Sequence, residues 1–119
     1  DAVKVTVVGR QNQPPTANAG QDQSIFIPNP NSPGRAILDG SASADPEGAA
    51  LSFEWRQEAG PVTAIISTPN QARTDVSGLM PGEYTFGLKV TDNAGNSASD
   101  TVRISVAIRV IDDGPREKS

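Results

Sequence analysis

Alternation of apolar and polar residues in several short segments constrains the fold of this chain more than any other feature. In LSFEW, Leu51, Phe53 and Trp55 alternate with polar residues, and the segments 84–90 and 101–108 alternate in the same way. Because successive side chains of a β-strand point to opposite faces, a period of two predicts half-buried strands. The inward positions expected in the two longer segments are Tyr84, Phe86, Leu88, Val90, Val102, Ile104, Val106 and Ile108.

Turn-forming residues separate these segments from four shorter ones with strand character, at 24–27, 35–40, 63–67 and 72–76. The chain has 11 Gly and 10 Pro among 119 residues, which suits short strands joined by many turns. Strands at this spacing are typical of an immunoglobulin-like sandwich. We therefore predict an all-β fold, an antiparallel β-sandwich of about seven strands with Greek-key connections.

A turn motif precedes the longest aromatic strand. Leu79, Pro81, Gly82 and Tyr84 form the pattern Leu-x-Pro-Gly-x-Tyr. In Greek-key sandwiches, the hydroxyl of a Tyr after such a turn hydrogen-bonds to nearby backbone and fixes the corner between strands. The alternative is a Tyr that only packs within its strand, and both interpretations make Tyr84 structural.

The first residues of the chain resemble its last strand. DAVKVTV at 1–7 and DTVRISV at 100–106 share an Asp and two Val, with conservative exchanges between them. Their separation of 99 residues is the length of one sandwich domain. We predict a preceding repeat's tail or a linker strand at 1–11, the sandwich domain at 12–108 and a linker without fixed structure at 109–119. Chance similarity, or a first strand of this same fold at 1–8, stays open.

Charge and hydropathy argue against two classes of partner. The net charge is −4 and no cluster of Lys and Arg is present, so the field that attracts nucleic-acid phosphates is missing. No apolar run approaches the roughly 18 residues that a membrane span requires. We therefore expect neither nucleic-acid binding nor membrane insertion.

The residue types needed for most catalysis are missing as well. The chain has no His and no Cys, which removes the usual proton shuttle and the most reactive nucleophile. Carboxylate pairs remain, but a glycosidase needs two that flank a sugar-sized cleft, and a single small sandwich offers little material for one. We predict that the domain is not an enzyme.

Four segments in order, PPTANAGQDQSI, LDGSASADPEG, LSFEW and PGEYTFGLKVTDNAGNSASDTVRISV, resemble a PKD (polycystic kidney disease) domain of bacterial extracellular proteins. The resemblance covers residues 14–106, with EWRQEAGP at 54–61 where many members have Trp-x-Phe-Gly-Asp-Gly. It implies a non-catalytic spacer or interaction module, often repeated, in secreted or cell-surface multidomain proteins. The partners implied are neighbouring domains of the same chain and extracellular protein or polysaccharide.

Calcium is the one cofactor that the sequence suggests. Ca²⁺ binds several oxygen ligands, and the acidic turns DPEG and TDNAG each follow a strand and are expected at one end of the sandwich. The ligand set, which matches calcium-binding members of the family, is Asn18, Asp45, Glu47 and Asp92. Ala19 stands where a Ser ligand can follow the Asn. The alternative, that Asp45 and Asp92 cap turns through their own backbone, stays open.

The second functional hypothesis is a carbohydrate-binding module that targets an attached glycoside hydrolase or protease to an insoluble polymer. Sugar-binding surfaces usually present exposed aromatic rings, and the chain has five aromatic residues. Phe53, Trp55, Tyr84 and Phe86 fall on predicted core faces, with Trp55 at the position of the buried strand-C Trp of such sandwiches. Only Phe26 lies on an ambiguous face.

Overall fold

Seven strands make up the computed structural model, which describes residues 13–109 and contains no helix in that range. The strands are β1 (Gln23–Ile27), β2 (Gly34–Asp39), β3 (Ser52–Ala59), β4 (Ile65–Ile66), β5 (Arg73–Leu79), β6 (Gly82–Thr91) and β7 (Ser97–Ile108). They form two sheets, so the prediction of an all-β sandwich is confirmed. The segments predicted as a preceding tail and a following linker lie almost wholly outside the described residues.

The two sheets have the orders β1-β7-β6-β3 and β2-β5-β4. All pairs between these strands are antiparallel except one, since β1 runs parallel to β7 with Gln23 opposite Ile104 and Ile27 opposite Ile108. The predicted antiparallel sandwich is thus the fold observed, and the single parallel pair at the edge of the four-stranded sheet is a detail that the sequence analysis did not foresee. Because β1 runs the same way as β7, it ends at the end of the sandwich where β2 begins in the other sheet.

The core lies between the sheets and follows the predicted alternation. The buried apolar residues are Ala19, Ile27, Ala36, Leu38, Trp55, Ala64, Val76, Leu79, Tyr84, Phe86, Leu88, Val90, Val102, Ile104 and Val106. Trp55 is 2% exposed, and its indole Nε1 donates a hydrogen bond to the carbonyl of Gln71 at 3.1 Å. Ile108 was expected inside and is 43% exposed, because it is the last residue of β7 and lies beyond the final buried position.

Tyr84 fixes the corner between β5 and β6, as its motif predicted. Its side chain is fully buried, and its hydroxyl accepts a hydrogen bond from the backbone N–H of Met80 at 2.8 Å. The ring stacks on Phe86 with 6.1 Å between centroids. The tyrosine corner is therefore confirmed. Its hydroxyl accepts from the Met80 N–H, which lies in the turn and has no partner in the strand ladder.

The chain enters the sandwich at one end and leaves it at the other. On the way in, Thr16 bridges to Ala44, and the N–H of Ala19 donates to the Asp100 carboxylate at 2.8 Å. On the way out, the N–H of Arg109 donates to the carbonyl of Ile27 at 2.8 Å. Nine residue steps separate positions 100 and 109, which corresponds to about 30 Å of extended strand.

Each end carries its own set of loops. The N-terminal pole consists of the incoming segment 13–20 and the loops 40–51, 67–72 and 92–96. The C-terminal pole is the opposite end and consists of the loops 28–33, 60–64 and 80–81 together with Phe26, Ile108 and Arg109. The two poles are the parts of the fold where candidate functional side chains gather.

Candidate functional site

The first candidate is the acidic turn DPEG of the N-terminal pole. One oxygen of Asp45, Oδ1, accepts hydrogen bonds from the N–H groups of Glu47 at 2.8 Å and Ala49 at 3.3 Å. Within the described residues, the other oxygen, Oδ2, is a buried side-chain atom with no hydrogen-bond partner. Asp45 thus caps its own turn with one oxygen, while the second is withdrawn from solvent.

The second acidic turn of this pole has the same construction. Asp92 is 5% exposed, and its Oδ1 accepts hydrogen bonds from the N–H groups of Ala94 and Asn96, both at 2.9 Å. Asn18 behaves similarly, since its Oδ1 accepts from the N–H of Gly20 at 2.9 Å. These contacts are those expected of Asp and Asn residues that stabilise turns.

The proposed calcium ligands are therefore already engaged in part. Both carboxylate oxygens of Glu47 lie 3.3 Å from the N–H of Gln13. Among residues 13–109, no three acidic side chains lie grouped as a metal site would require. The feature that fits a cation is the buried Oδ2 of Asp45, because a buried carboxylate oxygen without a donor is energetically costly. Calcium binding stays a prediction.

The C-terminal pole presents the exposed aromatic ring. Phe26 is 55% exposed, and the guanidinium carbon of Arg109 lies 5.1 Å from the centroid of its ring. This geometry is that of a cation–π contact. A shallow concavity of about 400 Å³ is lined by Phe26, Ile27, Pro28 and Arg109. The side chain of Phe26, whose orientation the sequence left ambiguous, therefore faces solvent. The other four aromatic side chains lie on the core side of their strands, as predicted.

A small notch marks the outer face of the four-stranded sheet. Gly87 has no side chain to cover its strand, and the Glu58 carboxylate lies over it, held by the Nε of Arg56 at 3.0 Å. The cavity there is about 60 Å³, with room for one or two water molecules. It does not have the size of a substrate cleft.

Two carboxylates on the three-stranded sheet have a lowered pKa. The hydroxyl and the N–H of Ser41 donate to Asp39 and lower its pKa below the ordinary value of 3.8. The Ser67 hydroxyl and the Arg35 guanidinium lower the pKa of Asp75 in the same direction. A lowered pKa keeps both groups ionised, the opposite of what a general acid needs near neutral pH.

Comparison with known proteins settles the family. A family model described as K319L-like, PKD domain, matches residues 19–106. The chain belongs to the PKD domain family. A solved PKD domain, that of the KIAA 1837 protein, superimposes with a TM-score of 0.69 at 27% identity, covering 92% of this chain and 99% of that chain.

Longer proteins contain regions similar to this PKD domain. The chain is 35% identical over 104 residues to the human dyslexia-associated protein KIAA0319, which is 87% of this chain and 9% of that protein. It is 36% identical over 93 residues to human low-density lipoprotein receptor-related protein 11, which is 78% of this chain and 18% of that protein. The chain thus spans less than a fifth of either relative. Both are human, so they do not support the bacterial setting expected from the resemblance.

Sequence reasoning missed one contact at the C-terminal pole of this PKD domain. Arg109 was assigned to the linker, but its N–H and its guanidinium fasten it to Ile27 and Phe26. The outgoing chain is therefore tied to β1 one residue beyond the predicted end of the domain. No local signal in the sequence pointed to this contact, because it joins residues 83 positions apart.

Proposed function

We propose that this PKD domain is a non-catalytic spacer and interaction module of a larger multidomain protein, exposed outside the cell or on its surface. The observation that carries the proposal is the path of the chain, which enters at the N-terminal pole and leaves at the C-terminal pole. A domain with this path adds its own length, about 30 Å, to the distance between the segments it joins.

Two further observations support a role in a larger chain. The similar regions of KIAA0319 and of the receptor-related protein are 9% and 18% of those proteins. Residues 1–7 repeat the pattern of residues 100–106, which fits a sister domain before this one. The proposed extracellular location is supported by the similarity to low-density lipoprotein receptor-related protein 11.

The spacer proposal is tested with two copies joined in series. A chain of residues 1–109 followed by residues 11–119 keeps the spacing suggested by the repeat, in which Arg10 occupies the place of Arg109. Spin labels are attached at the same surface position of each copy. They should lie roughly 30–50 Å apart, because this distance is the length of one sandwich plus the linker. A shorter mean distance would mean that the copies fold back side by side, which would refute the spacer function.

The alternative is a carbohydrate-binding module, which the exposed ring of Phe26 favours. Against it, the Arg109 guanidinium already lies over one face of that ring, so a sugar would have to stack on the other face or displace the arginine. Retention of the full chain on cellulose, chitin and other insoluble glycans separates the two. Saturable retention that is lost in Phe26→Ala supports the carbohydrate-binding module. If neither the parent nor the Phe26→Ala variant is retained, the result supports the spacer.

Calcium binding is proposed as an accessory property of the N-terminal pole. The residues that would hold the ion are Asn18, Asp45, Glu47 and Asp92, and the buried Oδ2 of Asp45 is the atom that gains most from a cation. A bound Ca²⁺ would join two loops of the same pole and stabilise the fold by linkage.

A further inference from the structure

In the described part of the chain, the sandwich has four edge strands, β1 and β3 in one sheet and β2 and β4 in the other. At β3, the N–H of Trp55 donates to the carbonyl of Pro69 in the loop 67–72, at 2.8 Å. Beside β4, the N–H of Ala64 donates to the Gln57 side chain at 2.7 Å. Each contact occupies a backbone group that would otherwise be open to another strand.

The edge of β2 is covered from the opposite sheet. The side-chain amide of Gln23, at the start of β1, donates to the carbonyl of Ile37 at 2.7 Å. Three of the four edges of the described sandwich thus carry a specific hydrogen bond to a loop or a side chain. Natural sheets use such covers to prevent pairing with other chains.

β1 is the edge strand whose outward backbone groups are open. The carbonyl of Ile27 accepts from the N–H of Arg109 on the β7 side, and these groups alternate in direction along a strand. Ser24 and Phe26 therefore turn their N–H and C=O groups away from β7. Within residues 13–109, these groups form no hydrogen bond. A row of unpaired donors and acceptors is a template for another strand.

The sequence of β1 does nothing to discourage such pairing. Natural edge strands often carry Lys or Pro, whereas β1, QSIFI, contains no charged residue and no proline. Phe26 is 55% exposed on the outer face of this strand. Charges of opposite sign lie at the two ends of the strand, because Asp22 precedes it and the Arg109 guanidinium lies over Phe26.

A second copy of β1 fits this edge in the antiparallel direction. With a two-fold axis at Ile25, Ser24 of each copy lies opposite Phe26 of the other. Each such pair exchanges both of its N–H···O=C bonds, so every outward N–H of β1 finds an acceptor. The exposed Phe26 ring then lies beside a strand and no longer at an open margin.

The charges at the ends of β1 favour the same arrangement. In this register, Asp22 of one copy lies in the row of the second copy's Pro28, next to which the β1–β7 register places Arg109. Two strand spacings, about 10 Å, separate the Cα atoms of Asp22 and the second copy's Arg109, and the two side chains together can span this distance. Parallel pairing would instead place each charge beside its like.

We propose that β1 is the edge at which two copies of this PKD domain pair, antiparallel, so that their four-stranded sheets join into one. This inference rests on the proposed function as an interaction module and names the partner as a second copy. A contact made by a strand of five residues is small compared with the interface of a stable dimer, so the association is weak and reversible. The two paired chains run in opposite directions.

The first test measures self-association of the full chain by analytical ultracentrifugation between about 10 µM and about 1 mM, the range of a weak dimer. The dimer fraction should rise with concentration. Ser24→Pro removes an N–H that points away from β7, so it should raise the dissociation constant at least about tenfold and leave the unfolding temperature unchanged. A dimer that Ser24→Pro does not weaken would place the contact elsewhere and overturn the inference.

The second test examines the charges. Asp22→Asn keeps the side-chain oxygen that accepts from the N–H of Arg103 at 2.9 Å but removes the negative charge. It should weaken the dimer several-fold at low salt, and it should have no further effect in an Arg109→Gln background. Glu54→Gln is the matched control, since it removes an exposed carboxylate from β3 at the far side of the same sheet.

The third test locates the axis. The chain has no cysteine, so a single introduced one reports on its own surroundings. In the proposed register, the two Ile25 Cα atoms lie about 4.5 Å apart, within the range of a disulfide. Ile25→Cys should therefore form a cross-linked dimer under mild oxidation, whereas Thr101→Cys, a more exposed position on β7, should remain uncrosslinked.

Amide hydrogen exchange distinguishes a second copy from other occupants of the edge. The N–H groups of Ser24 and Phe26 should become protected as the concentration rises. Protection at every concentration in a monomer would mean that another segment of the same chain covers β1, and it would overturn the inference. A monomer with both groups exchanging freely would overturn it as well. Either result leaves the spacer function intact, because the label separation within one two-copy chain tests that function independently.

Discussion

Loss of the Tyr84 hydroxyl should lower the free energy of unfolding by more than the loss of a hydroxyl on the surface does. In Tyr84→Phe, the backbone N–H of Met80 loses the acceptor that now lies 2.8 Å away, while the ring keeps its buried position and its stacking on Phe86. A part-buried donor left without a partner costs about 1–3 kcal/mol of unfolding free energy. For a domain of this size, each kcal/mol lowers the unfolding temperature by roughly 4–8 °C.

The measurement is urea unfolding of the full chain followed by Trp55 fluorescence, with a thermal scan by circular dichroism beside it. Ser105→Ala is the control, since it removes a hydroxyl that donates to the exposed Glu83 at 2.8 Å on the neighbouring strand. That change should cost less than about 0.5 kcal/mol. An unchanged slope of free energy against urea would show that both variants unfold from the same native state. Equal losses for the two variants would refute the corner as a stabilising device.

Three further predictions test the core, the acid response and the calcium proposal. Ile104→Ala, at a fully buried position, should lose about 2–5 kcal/mol of unfolding free energy, whereas Ile65→Ala, at 64% exposure, should lose less than about 0.5 kcal/mol in the same urea titration. Because the pKa of Asp39 is lowered from 3.8, its contribution to stability is complete above that value and disappears as the pH falls through the folded pKa. Asp39→Asn should therefore make the free energy of unfolding fall less steeply as the pH is lowered below 3.8. The same pH dependence in the parent and the variant would contradict the stabilising role of the Asp39 carboxylate. Calcium should raise the unfolding temperature relative to EDTA, and Asp45→Asn should abolish the rise; absence of any rise in the parent would discard the site.

The strands were predictable where the alternation was regular. β3, β6 and β7 each place apolar side chains at every second position, and one face of such a strand has to be buried. The alternation does not encode which strands pair or in which direction. The parallel pairing of β1 with β7 was therefore hidden, because it depends on how the chain crosses between the sheets.

The ends of strands and the contacts of single side chains were predicted less well. Ile108 continues the inward pattern of β7, but the opposite sheet does not extend far enough to cover it. The contact of Arg109 with Phe26 joins residues 83 positions apart, so no local sequence pattern predicts it. The turns around Asp45 and Asp92 were recognised as acidic loops, while their internal hydrogen bonds, which decide between a cap and a ligand, depend on backbone geometry.

The parallel pairing of β1 with β7 has a consequence for how the domain responds to tension. The chain is anchored on the way in near β1 and leaves at the far end of β7, so a force on the two termini pulls these neighbouring strands in opposite directions along their length. The ladder from Gln23 to Ile27 is then loaded in shear, and its hydrogen bonds must break together and not one after another. Even a short strand of five residues placed in this way acts as a mechanical clamp.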